Sequence, residues 1–178
     1  MALKATIFKA ELQVSDLDRG HFATHSLTLA RHPSETDERM MVRLLAFALD
    51  ADESLEFGRG LSAEDEPDLV QRDLTGAIQL WIEVGLPDER EVRKACGKSS
   101  RVKVYTYGRG AELWWNQNRE ALSRLRNVDI LAIDGSGEIA RWADRNMSIA
   151  CTIQDGQVYL SRGDDSLIHI PRKLFPSE

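Results

Sequence analysis

The chain is poor in cysteine, with only Cys96 and Cys151 among 178 residues. Two are too few for a disulfide framework or a cysteine-rich zinc site, and both are expected to be small buried apolar residues. No apolar run approaches the ~20 residues that a helix needs to cross a bilayer. No basic-then-apolar leader opens the sequence: Met1-Ala2-Leu3-Lys4 runs straight into an alternating stretch. That stretch reads as a strand, so a cytoplasmic protein is expected. Repeats, low-complexity linkers and breaks in composition are absent, so one domain spanning 1–178 and a monomer are expected. Positive charge is not in excess either. The net charge of −6 argues by itself against a nucleic-acid partner.

What the sequence does contain is enough apolar matter, 42%, to exclude a disordered chain. Its charge is unevenly spread. Residues 50–73 hold nine acids against two bases, and residues 86–126 hold ten bases against five acids. An acidic segment beside a basic one suits a metal and a polyanionic substrate. On charge alone, two solvated faces that neutralise each other are the simpler account.

The periodicities predict an N-terminal hairpin of strands 3–15 and 19–31 around Asp16-Leu17-Asp18-Arg19-Gly20. His21 and His25 share a strand face there, but no Cys or third His completes a metal pattern, so they are read as structural or exposed. Ser34 is the expected N-cap of a helix running to about Leu49, with Asp37 closing a capping box. Met41, Leu44, Leu45 and Ala48 form its buried stripe. Glu38, one turn before Met41, suits either the helix N-terminus or a site. A short strand is expected at 54–57, then a connection at Gly58-Arg59-Gly60.

The central pattern is a hairpin of strands 68–73 and 77–84. The next helix has Pro87 near its first position and Gly97 as its C-cap, and a strand at 101–107 follows, parallel to 77–84. Beyond lie a helix at 111–125, a strand at 128–133, a hairpin of 148–154 with 157–161 about Asp155-Gly156, and a short apolar tail at 167–170. This order predicts a mixed α/β sheet flanked by helices, with extra hairpins at its edges.

The hairpin carries the candidate chemistry. With a two-residue loop at Thr75-Gly76, opposed residue numbers sum to 151, and Asp68 faces Glu83. Like charges so placed, with Cβ atoms about 4.5–5.5 Å apart, are destabilising. A divalent cation held by oxygen ligands would relieve them. Two readings compete. An odd-length turn would shift the register by one and put the acids on opposite faces. Alternatively, Arg59, Arg72 or Lys94 pairs with one of them.

A helix, a hairpin carrying Pro67-Asp68 and Glu83, then a helix and a strand resemble the PD-(D/E)XK nuclease superfamily. Over nearly the whole chain the sequence is more closely similar to the YaeQ family. That similarity is carried by "ATHSLTLARHPSETDERMMVRLLAFAL", "LEFGRGLS", "EPDL" and "LWIEVGLPDEREVRKACG". It implies a restriction-endonuclease-like fold. The superfamily likeness further implies Mg²⁺ (or Mn²⁺) on Asp68 and Glu83, with the Val84 carbonyl as a further ligand, and phosphodiester cleavage of nucleic acid. The superfamily's lysine, two positions after the second acid, is here Gly85. Lys94, from the following helix, is the expected substitute, with Lys103 and Arg93 as other candidates; Arg90 and Lys94 as a plain exposed stripe is the competing reading. Glu38 would orient a metal-bound water, and Gln79, on the face of Glu83, would reach substrate or water. The alternative is a non-catalytic binding or regulatory protein on a nuclease-derived scaffold.

Overall fold

The computed structural model describes residues 4–59 and 65–176. Leu3 of the first expected strand and Gly60 of the expected connection lie outside the described residues. Eleven strands and four helices are present among those described.

The chain forms two mixed sheets rather than one sheet with hairpins at its edges. Strands β1 (Thr6–Asp16) and β2 (His21–Arg31) make the N-terminal hairpin, with Asp16 opposite His21. They join β8 (Asn146–Gln154), β9 (Gln157–Arg162) and β10 (Asp165–His169) in the order β10-β9-β8-β1-β2. β1 runs parallel to β8, so the N- and C-terminal hairpins close on each other. Alternation that looks like two independent edges is one amphipathic sheet, buried on one face. His21 and His25 meet on it, their Nε2 atoms 3.0 Å apart and His25 edge-on to Phe47 at 5.0 Å.

The second sheet runs β11-β7-β6-β5-β4-β3. Its strands are β3 (Leu55–Phe57), β4 (Leu69–Arg72), β5 (Ile78–Val84), β6 (Ser99–Tyr107), β7 (Val128–Ile133) and β11 (Arg172–Phe175). β5, β6 and β7 are parallel, as the crossover rule predicts for strand–helix–strand units. β11, in the tail, pairs antiparallel with β7.

Helix α1 (Asp37–Leu49) is the layer between the sheets, touching β2 on one side and β5 and β6 on the other. Every residue from Met40 to Ala48 is buried, whereas a one-stripe helix would bury about half. A helix apolar on most sides belongs inside. Its N-cap is Thr36, whose Oγ1 accepts from the Arg39 N–H at 3.1 Å, and not Ser34. Ser34 instead bonds the His32 ring.

Helices α2 (Glu89–Lys98) and α3 (Ala111–Leu122) cover the outer face of the second sheet. Trp81, Val92, Val102, Val104, Trp114 and Leu122 form a second core there. Asp88 caps α2 in a full capping box with Glu91. Gly97 is not a C-cap: α2 continues through Lys98 and passes straight into β6. A short helix, α4 (Ser136–Ala140), packs on α1.

Candidate functional site

The hairpin β4–β5 reaches its register by two compensating irregularities. Asp73 N–H donates to Ala77 O and Gly76 N–H to Asp73 O, so the loop holds three residues, not two. That alone would shift the register by one. A bulge at Gln79 shifts it back, and Leu69–Ile82, Val70–Trp81 and Gln71–Leu80 pair as the 151 register requires. The bulge turns Gln79 to the Asp73 carboxylate at 3.0 Å, away from any site.

Asp68 lies one residue before β4, at the end of that register. Its placement needs Gly58: a Cβ on Gly58 would stand 1.9 Å from the Pro67 carbonyl oxygen. The absent side chain lets the Gly58 N–H reach Asp68 O at 2.8 Å. Asp68 N–H in turn donates to Ile82 O at 2.9 Å. The Asp68 side chain is 7% exposed and both of its carboxylate oxygens are engaged. Oδ2 accepts from the Val84 N–H at 2.7 Å, and Oδ1 accepts from Arg39 Nη2 at 2.7 Å.

Arg39 is the functional side chain that the sequence reading missed. From the first turn of α1 its Nη2 also donates to the Val84 carbonyl at 3.1 Å, and its Nη1 to Glu35 Oε1 at 2.9 Å. Glu35 is held in turn by Arg43, through Nε at 2.7 Å and Nη2 at 2.9 Å. Arg43 is 1% exposed. The signal was present as two bases spaced by four on α1, Arg39 and Arg43, with the acid Glu35 four residues before Arg39, just ahead of the N-cap. A base inside an apolar run is a demand for a buried partner.

Glu83 and Trp81 point to the same side of β5, and the Trp81 indole N–H donates to Glu83 Oε1 at 2.6 Å. Burial, then the charge of Asp68, pushes the Glu83 carboxyl up to about 8. The acid pair thus does interact, and both members line one cleft of about 420 Å³ at the carboxyl end of β5. Open sheets of this kind present ligand sites at such strand ends.

Lys94 lines the cleft from α2. It is an exposed side chain whose Nζ lies 3.4 Å from Asp65 Oδ1 at the rim. Lys98, over the Trp81 ring at 5.8 Å, lines it too. Glu38 does not: it accepts from the Ser136 hydroxyl of α4 at 2.6 Å. Lys103 is on the other face of the sheet, paired with Asp50 after α1. Arg93 pairs with Glu89 along α2. At Gly85, φ is +116°, a region that side-chain-bearing residues avoid. The backbone here excludes the lysine as firmly as the sequence does. The cysteines lie away from the cleft, with burial pushing the Cys96 thiol up to about 11 and, with Asp16, Cys151 up to about 12.

A Mg²⁺ or Mn²⁺ ion at this point would need oxygen atoms free to coordinate it. Both Asp68 oxygens, the Val84 carbonyl and one Glu83 oxygen already accept from protein donors. Among the described residues no three His, Cys, Asp or Glu side chains cluster as ligands. A fixed guanidinium stands against the same oxygens. The residues as arranged do not fit a divalent cation.

The sequence model of the YaeQ protein family matches residues 1–170. The chain belongs to the YaeQ family. It is 49% identical over 170 residues to the uncharacterized protein YaeQ of Escherichia coli (strain K12), covering 94% of each chain, and matches that of Salmonella typhi equally. The crystal structure of YaeQ from Xanthomonas axonopodis pv. citri superposes with a TM-score of 0.92 at 51% identity, covering 96% of this chain and 98% of that one. YaeQ from Pseudomonas syringae gives 0.93 at 35% identity, with 97% of each chain covered. The two-sheet architecture is therefore that of the YaeQ structures.

Proposed function

We propose that this YaeQ-family chain is a ligand-binding protein on a nuclease-type scaffold, with the Asp68–Glu83 cleft as its binding site. The observation that carries this is the commitment of both Asp68 oxygens to Arg39 and to the Val84 N–H. The cleft's charges support it. Arg39, Lys94 and Lys98 face Asp65, Glu66, Asp68, Glu83 and Glu91 across its walls. With Glu83 protonated near neutral pH, four acids still face three bases, a balance that favours a cationic or neutral polar ligand over a phosphate backbone.

Cleavage of labelled single- and double-stranded DNA and RNA in Mn²⁺ tests the reading. The expected result is no cleavage above that of a Glu83→Ala preparation on any of the four. Cleavage that Glu83→Ala abolishes would contradict it.

A second reading is a Mg²⁺- or Mn²⁺-dependent phosphodiesterase acting on nucleic acid. In it Asp68 and Glu83 hold the metal, Lys94 supports the nucleophile and Glu38 orients water. It has in its favour that Asp68 and Glu83 line one cleft. The Glu38–Ser136 bond and the exposure of Lys94 weigh against it.

A further inference from the structure

We propose that the Arg39 guanidinium is the resident cation of this site, a tethered charge standing where the acid pair would otherwise hold a divalent metal. The inference rests on the ligand-binding reading above and adds the reason why the site takes no metal. The oxygens that a metal on this hairpin would use are a carboxylate oxygen of Asp68 and the Val84 carbonyl. One nitrogen, Arg39 Nη2, donates to both, at 2.7 and 3.1 Å. A guanidinium carries one positive charge and directs two N–H donors from each Nη, so it can satisfy both acceptors at once.

Arg39 is also anchored from behind. Nη1 is fixed by Glu35 at 2.9 Å, and Glu35 is fixed by Arg43 through two bonds. The Glu35 and Arg43 side chains are 1% and 2% exposed. An ion dissociates and is replaced from solution, whereas this cation is covalently part of α1. A guanidinium keeps its charge throughout the stable pH range. For a metal to enter, Arg39 must swing out, leaving Glu35 one donor short and its own charge without its carboxylates, which is costly for buried ions. Unlike the lost lysine, then, the cation of the acid pair is present; it has moved from solution into the chain.

Removing the guanidinium should open the site to metal. The test is Mn²⁺ alone, followed by loss of the free hexaaquo electron-resonance signal and by calorimetry. Three proteins are compared: wild type, Arg39→Met, which keeps length without charge, and Arg39→Lys, which keeps a cation. Expected are no specific uptake by wild type or Arg39→Lys at millimolar Mn²⁺, and about one equivalent bound by Arg39→Met, at least tenfold more tightly. Adding Glu83→Gln to Arg39→Met should abolish that uptake. A folded Arg39→Met protein that binds no Mn²⁺ overturns this inference and leaves the ligand-binding reading standing. One equivalent on the wild type overturns both. Wild-type amide spectra decide the matter even if Arg39→Met does not fold. Val84 N–H should broaden in Mn²⁺ no more than amides remote from the cleft, and selective broadening there would overturn the proposal.

Discussion

The two ends of α1 hold buried carboxylates in different ways. After its C-terminal end, Asp50 accepts from the Lys103 ammonium and the Tyr105 hydroxyl, closed off from solvent. Burial, then the charge of Asp50, raises the Tyr105 hydroxyl well above its ordinary pKa, so it stays a neutral donor. At the N-terminal end, Glu35 and Asp68 meet Arg39 and Arg43, again acid for base. The difference is Glu83. It is a third acid, on a cleft wall, and it accepts from the neutral Trp81 indole. A buried ion pair alone is architecture. A surplus carboxylate with a raised pKa beside an open cleft marks a site.

The largest expected effects test whether the two ends are equally structural. Asp50→Ala and Glu35→Ala each strand buried charge, and each should cost about 3–5 kcal/mol in urea unfolding at neutral pH. They should differ at the cleft. Glu35→Ala frees one side of Arg39 and should shift the Val84 amide resonance, while Asp50→Ala leaves it unmoved.

Glu83 gives the next effect, with a definite sign. Its carboxyl titrates near 4.5 when unfolded and at about 8 when folded. Between these values the folded state holds a proton that the unfolded state lacks. Its contribution to stability is therefore full below pH 4.5 and is lost as pH rises through about 8. The slope is at most about 1.4 kcal/mol per pH unit. Denaturant midpoints of wild type should fall across this window relative to Glu83→Gln. Equal pH profiles for the two proteins would remove the surplus-acid argument.

Smaller effects concern the lysines. Gly85→Lys puts a lysine two positions after Glu83 but at φ +116°. It should destabilise by about 1–3 kcal/mol and yield no cleavage of labelled DNA in Mn²⁺. Lys94→Ala, losing an exposed pair with Asp65, should cost less than about 1 kcal/mol in the same unfolding assay.

Much of this was legible in the residues. Strand periodicity located β1, β2 and β5 to β9, because one-face burial writes itself as alternation or as an apolar run. The register of strands β4 and β5, from Leu69–Ile82 to Gln71–Leu80, is the expected one for a different reason. The loop has three residues, and the bulge at Gln79 restores what it shifts. Turn chemistry alone does not announce a bulge. The joining of the two terminal hairpins into one sheet was not readable, since strand pairing across more than a hundred residues leaves no local mark. α4 was too short to show a period. Glu38 offers the carboxylate that a metal site asks for, yet it bonds Ser136, while its neighbour Arg39 reaches Asp68. The spacing by four of Glu35, just before α1, and of Arg39 and Arg43 within it held the better answer.

The central claim is that Arg39, and no metal, satisfies Asp68 and the Val84 carbonyl. A crystal soaked in Mn²⁺ and measured for anomalous scattering tests it most directly. The account predicts no anomalous peak between Asp68 and Glu83, with Arg39 Nη2 within hydrogen-bonding distance of Asp68 Oδ1 and the Val84 oxygen. A strong peak at that position, with the Arg39 side chain displaced from Asp68, would contradict it.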